Sequence, residues 1–291
     1  MPTKIEKDAV SGTLTTGHEW DGIKELNTPL PKWWLYVFFA TIVFAAVWVV
    51  LYPALPIQGA TGLTGWTARG AIEQEMAEHA KQLEPRLAAI RQATPPQILA
   101  DAEMRDFALA GGRVAFANNC AACHGAGGQG AQGGFPSLAD DDWLWGGKLA
   151  EIRQTIQHGI RNAEDEAART TMMPRFLADG LLNAAQVNDV AEHVLSLSGR
   201  AGDAAAAQRG AAVFADNCAS CHGSDGRGSR ELGAPNLADQ VWLYGGDKAA
   251  VVQSVSYARA GVMPAWGARL DPAVVNMLTV YVHSLGGGEP E

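Results

Sequence analysis

Two short stretches of the chain combine cysteine and histidine at a spacing that is typical of covalent haem attachment. Both read C-x-x-C-H, at residues 120–124 and 218–222. The two thiols of such a motif add to the two vinyl groups of one haem, and the adjacent histidine binds the iron from one side. We therefore expect two covalently bound haem c groups. The attachment residues and histidine ligands are Cys120, Cys123 and His124 for haem 1, and Cys218, Cys221 and His222 for haem 2.

A methionine downstream of each motif is expected to be the second axial ligand. Met173-Pro174 follows the first motif and Met263-Pro264 the second, where a small cytochrome domain returns its chain to the far face of the haem. We expect Met173 to bind the iron of haem 1 and Met263 that of haem 2, with Met172 as the adjacent alternative to Met173. A thioether ligand raises the reduction potential of the iron. Six-coordinate iron has no open position for substrate, so no catalytic residue is expected.

The same cysteines allow two other interpretations. Four thiolates could surround one zinc ion, or each C-x-x-C pair could act as a redox dithiol. Neither interpretation explains the two histidines or the two methionines. Since these are the only four cysteines in 291 residues, none is left over for a disulfide or a catalytic role.

The C-terminal two thirds of the chain contain an internal repeat. The sequence FANNC at residues 116–120 matches FADNC at 214–218, and WLWGG at 143–147 matches WLYGG at 242–246. Helical spacing, an N-cap at Asp271 and a capping box from Asn183 to Gln186 predict an all-α fold. We expect two tandem cytochrome c domains, at residues 107–200 and 201–291, with an acidic insertion at 162–169.

Six further residues are candidates for roles around the haems. The arginines ahead of the Met-Pro pairs are expected to pair with haem propionates, and the tryptophans of the repeated motif to wall the pockets. Two histidines are alternative iron ligands, although a histidine near haem more often bonds a propionate or the backbone. These residues are Arg161 and Arg259, Trp143 and Trp242, and His158 and His193.

An uncharged apolar stretch runs from Trp33 to Leu55, and its 23 residues exceed the roughly 20 that cross a bilayer. A cleaved signal peptide would have a shorter apolar region nearer the start of the chain, so we expect an uncleaved anchor. Haem is attached to C-x-x-C-H outside the bacterial cytoplasm. We therefore expect a single-pass protein of the bacterial inner membrane, with residues 1–32 cytoplasmic, 33–55 in the membrane, and both haem domains periplasmic.

The segments on either side of the anchor are predicted to be simple. Residues 1–32 are expected to form an ordered turn or a tail. Residues 56–106 form a linker, with a helix over 67–92 that Pro85 kinks or splits and a short helix from Pro96 to about Leu109. The chain has 31 acidic and 22 basic residues, which argues against nucleic acid and favours a basic partner such as a soluble cytochrome c.

The sequence GHEWDGIKELNTPLPKWW at residues 17–34, followed by one span and two cytochrome domains, resembles the di-haem subunit of cbb3-type cytochrome c oxidase, the CcoP/FixP family. The resemblance implies a non-catalytic electron-transfer subunit of a proton-translocating oxidase in the respiratory chain. Such a subunit takes electrons from cytochrome c or the cytochrome bc complex. It passes them to the mono-haem subunit and the catalytic haem-copper subunit, which reduces oxygen to water.

Two other functions remain open from the sequence. The first is a free-standing membrane-anchored di-haem cytochrome c, or the cytochrome subunit of a periplasmic dehydrogenase. The second is a di-haem peroxidase, which ranks lower because it needs one iron with a vacant or displaceable ligand, whereas both copies supply a methionine.

Overall fold

The structure is a computed structural model that describes residues 4–52 and 62–290. The chain divides into two compact units, Met1–Gln82 and Leu83–Glu291, which are described separately. Within the described residues, the chain is mostly helical, as predicted, with one small sheet.

The N-terminal unit begins with an antiparallel hairpin, which the sequence analysis missed. Strand β1 (Thr15–Trp20) pairs with β2 (Ile23–Leu26), with Trp20 opposite Ile23. The turn residues Asp21 and Gly22 both have positive φ, of 51° and 84°. This is the conformation that Asp-Gly favours in two-residue hairpins, so the signal was present in the sequence.

Helix α1 (Lys32–Leu51) contains most of the predicted membrane anchor. By length and composition, it is the one helix among the described residues that could cross a membrane, and none of its residues is buried. The predicted last residues of the span, 53–55, and the start of the linker lie outside the described residues. The predicted linker helix is α2 (Ala68–Gln92), which continues through Pro85 without a break.

The second unit consists of the end of α2 and nine further helices. The predicted helix from Pro96 to Leu109 is in fact two helices, α3 and α4, because Asp101 caps the second by accepting a hydrogen bond from Met104 N. The helices are α3 (Pro95–Ala100), α4 (Ala102–Asn119), α5 (Ala121–His124), α6 (Leu149–His158), α7 (Ala184–Leu197), α8 (Ala204–Asn217), α9 (Ala219–His222), α10 (Lys248–Tyr257) and α11 (Pro272–His283).

The two copies of the repeat exchange their terminal helices. Helix α11 of copy two packs against α4 and α6 of copy one, whereas α7 of copy one packs against α8 and α10 of copy two. The ring contacts follow the same exchange: Phe116 meets Tyr281, and Phe214 meets His193, with centroids 5.4 and 5.1 Å apart. Each half of the unit is therefore built from both copies.

The prediction of two tandem domains at residues 107–200 and 201–291 did not include this exchange of helices. Only residues 198–203 link α7 to α8, and so short a connection favours packing of the two helices side by side. The segment between His158 and Ala184, which contains the insertion, is 25 residues long, against 14 between Tyr257 and Pro272. The shorter connection crosses between the copies as the longer one does, so the extra length is not what allows the crossing.

The end of α2 is part of the same packed unit. Ile90 is fully buried with Ile98 of α3 and Val280 of α11. The buried amide of Asn276 donates hydrogen bonds to the carbonyls of Ile90 and Ala93, 3.0 and 3.2 Å away. These bonds satisfy acceptors that a helix end leaves free, so α11 holds the end of the linker helix in place.

Candidate haem sites

The two C-x-x-C-H motifs have the same local structure. Cys120 is the C-cap of α4 and the N-cap of the one-turn helix α5, whose own C-cap, Gly125, has a φ of 77°. Cys218 connects α8 to α9 in the same way, and Gly223 follows with a φ of 78°. Each motif therefore presents two thiols and a histidine from a single tight turn.

Each motif histidine is oriented by a backbone carbonyl. The Nδ1 atom of His124 lies 3.0 Å from the Pro136 oxygen, and Nδ1 of His222 lies 3.0 Å from the Pro235 oxygen. Because a carbonyl can only accept, Nδ1 carries the proton and Nε2 is the nitrogen that can bind iron. Burial lowers the pKa of both imidazoles, which favours the neutral form that a metal ligand needs.

The surroundings of the cysteines do not fit a redox dithiol or a zinc site. Burial, with a smaller contribution from the neighbouring thiol, raises the pKa of Cys120 and of Cys218 to about 11. A redox dithiol depends on a lowered thiol pKa. Among the described residues, no three histidine, cysteine or acidic side chains converge as a metal-binding group.

Both motifs open onto one continuous cavity. Its wall includes both cysteines and the histidine of each motif, together with Met173 and Met263. The two copies meet across it in a reciprocal manner, since Gly134 lies against the ring of Tyr244 and Gly233 against the ring of Trp145. The amides of Gly133 and Gly134 also donate to the Leu243 carbonyl, 3.2 and 3.1 Å away. The two candidate haem sites are therefore neighbours.

The methionines do not pack where the sequence analysis expected. Met263 packs in the cluster that contains Phe116 and Cys120, and its backbone pairs with Ile160 of copy one in both directions at 3.0 Å. Met173 packs in the cluster that contains Phe214 and Cys218. Each methionine therefore packs beside the C-x-x-C-H motif of the other copy, and not beside the motif of its own copy as the prediction has it. The helix exchange explains this result, because each methionine travels with its terminal helix. Met172 is 64% exposed, in keeping with the choice of Met173.

Two arginines occupy equivalent positions, and one was missed. Arg259 donates to Ser254 Oγ at 2.7 Å, and its guanidinium lies 4.9 Å from the ring centroid of Tyr244. Arg169 donates to Thr155 Oγ1, and its guanidinium lies 5.1 Å from the ring centroid of Trp145. Each arginine stands four residues before a Met-Pro pair.

The counterpart of Arg259 is therefore Arg169, and not Arg161, which was the arginine singled out from the sequence. The insertion concealed this register. Arg161 does line the cavity, as Arg259 does, but its contacts are of a different kind.

The two predicted tryptophans have different roles. Trp242 lines the cavity, and its buried indole Nε1 is the one buried side-chain polar atom without a hydrogen-bond partner among the described residues. Trp143 instead packs in the core beside Cys120 and donates from Nε1 to the Gly287 carbonyl at 2.5 Å, while Trp145 lines the cavity. An unpaired hydrogen-bond donor on the cavity wall fits a cofactor that has acidic groups, such as the propionates of haem.

Neither alternative histidine ligand lines the described cavity. His158 places Nδ1 3.1 Å from a carboxylate oxygen of Asp165 in the insertion. His193 packs against Phe214, and burial lowers its pKa. Both have protein partners, so His124 and His222 remain the candidate histidine ligands.

Comparison with known proteins gives a family match for the N-terminal part of the chain and for each copy of the repeat. Residues 12–58 match the N-terminal domain of cytochrome oxidase-cbb3, FixP; residues 109–198 match cytochrome c; and residues 205–282 match cytochrome c oxidase, cbb3-type, subunit III. The cbb3-type cytochrome c oxidase subunit CcoP of Azospirillum brasilense is 53% identical, over 98% of this chain and 99% of that protein. The chain belongs to the CcoP/FixP family.

Other members of the family are also similar along their whole length. The cbb3-type oxidase subunit FixP of Azorhizobium caulinodans is 52% identical over 97% of this chain, and CcoP of Cereibacter sphaeroides is 49% identical over 99%. The hairpin β1–β2 and helix α1 lie within the FixP N-terminal match. Family membership identifies the chain as a di-haem electron-transfer subunit of a cbb3-type cytochrome c oxidase and confirms the resemblance noted from residues 17–34.

Proposed function

We propose that this chain binds two haem c groups covalently and relays single electrons within the oxidase without itself reducing oxygen. The observation that supports this most directly is the shared cavity, onto which two identically folded C-x-x-C-H turns open. Haem c supplies reversible one-electron transfer at its iron. The chain supplies attachment, axial ligands and the polar groups around the macrocycle.

We further propose that the axial ligands are crossed between the copies. His124 and Met263 would hold the iron of haem 1, and His222 and Met173 that of haem 2. The support is the packing of each methionine in the cluster of the other copy's motif. Held in this way by a histidine and a methionine, neither iron would have a position free for oxygen or peroxide, which argues for electron transfer rather than peroxidase chemistry.

The propionates would be held by residues of the cavity wall. Trp242 has an indole N–H that lacks an acceptor within the described chain, and Arg259 lines the same cavity. Arg169, the structural equivalent of Arg259 in the other half, does not itself line the cavity but lies against the ring of Trp145, which does. We expect these donors to hold propionate charge, since a buried donor normally finds a partner.

The expected electron donor is cytochrome c or the cytochrome bc complex, and the acceptors are the mono-haem and catalytic haem-copper subunits. We place both haem domains in the periplasm and α1 in the bacterial inner membrane, in contact with lipid. The apolar character of α1, none of whose residues is buried, and the attachment of haem outside the cytoplasm support this orientation. The chain has 31 acidic and 22 basic residues, and this excess of negative charge favours a basic electron donor.

The relay function is tested with the oxidase purified from native membranes in mild detergent. We expect two haem c per copy of this chain, in company with haem b, and oxygen uptake driven by reduced cytochrome c. If haem c alone were recovered and no other subunit co-purified under gentle extraction, the chain would be a free-standing carrier.

The crossed ligands are tested in variants that attach one haem. In the Cys218→Ser/Cys221→Ser background, Met263→Ala should remove the red charge-transfer band of methionine-ligated ferric haem, and Met173→Ala should leave it. The parent background must itself show that band. If Met173→Ala removed the band instead, ligation would follow the sequence order and the crossing would be wrong.

A further inference from the structure

Arg161 is a half-buried cation on the wall of the shared cavity, and among the described residues no carboxylate pairs with it. Desolvation lowers the pKa of its guanidinium. Its backbone takes a left-handed φ of 51°, which a non-glycine residue adopts only where its surroundings hold it. Its placement is therefore costly and needs an explanation that a surface arginine would not.

The backbone around Arg161 is hydrogen-bonded both within its own loop and to the methionine segment of copy two. Its amide donates to the carbonyl of Arg169 at 2.6 Å, and the preceding residue, Ile160, exchanges two backbone hydrogen bonds with Met263 at 3.0 Å. Arg161 is thus fixed beside the segment that places Met263 next to the first C-x-x-C-H motif.

The side chain of Arg161 joins the two exchanged segments. Nε donates to the Gly261 carbonyl at 2.7 Å, and Nη1 donates to the Thr171 carbonyl at 3.2 Å. Gly261 stands two residues before Met263, and Thr171 stands two residues before Met173. One guanidinium therefore contacts equivalent positions in the two methionine segments at the place where they cross.

Arginine suits this role better than lysine does. Its planar guanidinium has donors in fixed directions, so one group can bridge two acceptors on different segments. A lysine ammonium would keep the charge but not this geometry. By helix register, copy two has Ala260 at the position of Arg161, so a single arginine serves both copies.

We propose that Arg161 is a positioning residue that holds the two exchanged methionine segments together by hydrogen bonds, so that methionine ligation of both irons depends on this one side chain. The proposal rests on the crossed di-haem arrangement described under the proposed function. Loss of methionine ligation lowers a haem potential, and removal of a nearby positive charge acts in the same direction because it favours the ferric state. The two effects are separable, because methionine ligation requires the fixed donor directions of the guanidinium, whereas the charge effect does not.

The experiment compares Arg161→Met and Arg161→Lys in the intact oxidase, with redox titration of the c haems and the methionine charge-transfer band as readouts. The matched control is Arg175→Gln, which removes a cation two residues after Met173 that is exposed and paired with Asp179 at 2.7 Å. In Arg161→Met we expect both haems to lose band intensity. The reduction equilibrium of each should fall at least tenfold, or about 59 mV for one electron. Arg161→Lys should recover only part of this loss, and Arg175→Gln should match the wild type.

The proposal fails if Arg161→Met changes one haem only or neither, or if Arg161→Lys restores both fully, since charge alone would then suffice. If Arg161→Met yields no assembled protein, the Arg161→Lys and Arg175→Lys pair decides by the same criteria. A wild-type enzyme without two methionine-ligated c haems would refute the proposed function instead, so the two failures are distinguishable.

Discussion

The exchange of terminal helices predicts which aromatic pairs are energetically coupled. Phe116 is 1% exposed, and its ring lies 5.4 Å from that of Tyr281 at an interplanar angle of 54°. A ring pair in such a geometry is worth about 0.5–1.5 kcal/mol beyond its area burial. Had α7 folded back onto its own copy, Phe116 would instead face His193, which stands at the position of Tyr281 in the repeat.

A double-mutant cycle measures this coupling. Phe116→Leu and Tyr281→Leu are made singly and together in the full chain, and the free energy of unfolding is obtained from denaturant titrations in detergent. We expect a coupling energy of about 1 kcal/mol, against less than about 0.5 kcal/mol for the control cycle of Phe116→Leu with His193→Leu. The denaturant slopes must agree among the variants. Coupling of Phe116 to His193, with none to Tyr281, would refute the exchange.

Three further predictions concern helix packing, protonation and the tryptophans. Gly112→Ala should destabilise the fold by about 1–3 kcal/mol, because the new Cβ would lie 2.6 Å from Cβ of Tyr281 and overlap the Met277 carbonyl. The control, Gly111→Ala, meets only the flexible Met277 side chain and should cost little stability. Thermal unfolding of the two variants measures the difference. Burial, reinforced by Asp239, raises the pKa of Asp142 to about 6, so that between about pH 4 and about pH 6 the native state holds a proton that the unfolded state has released. The free energy of unfolding should therefore fall as the pH rises from about 4 to about 6. Asp142→Asn should remove this dependence of the unfolding free energy on pH. Trp242→Phe should lower the potential of one haem in a redox titration, whereas Trp143→Phe, which loses a bond to a backbone carbonyl, should change stability and leave both potentials unaltered.

Sequence reasoning succeeded where local chemistry determines local structure. Asp271 caps α11 by accepting from Ala273 N, and Asn183 and Gln186 form the predicted capping box of α7. Both signals act within one helical turn, so no distant part of the chain can overrule them. The C-x-x-C-H turns followed from their motifs for the same reason.

The exchange could not be predicted in this way. Because the two copies are similar, α7 and α11 present comparable apolar faces. His193 and Tyr281 occupy the same place in the two halves, against Phe214 and Phe116. Periodicity identifies the buried face of a helix but not the partner that covers it.

The role of Arg169 was missed for a related reason. Counted from the end of α6, Arg161 comes first, but counted back from the methionine, Arg169 matches Arg259. Only the contact with Thr155, at the position that Ser254 occupies in α10, shows which count applies. An insertion between two fixed points leaves the register ambiguous until side-chain contacts are known.

The interleaved topology also governs the order in which the protein can be completed during synthesis. The ribosome makes Cys120 and His124 early, but the helix that packs on α4, and the methionine beside that motif, come from the last 30 residues of the chain. The first half therefore stays open while the second half is made, and the long sequence separation of its contacts favours slow closure. Haem delivered to the first motif during this interval would have only one axial ligand from the chain. Helix α11, which is translated after every other described helix, thus completes the first site to be made.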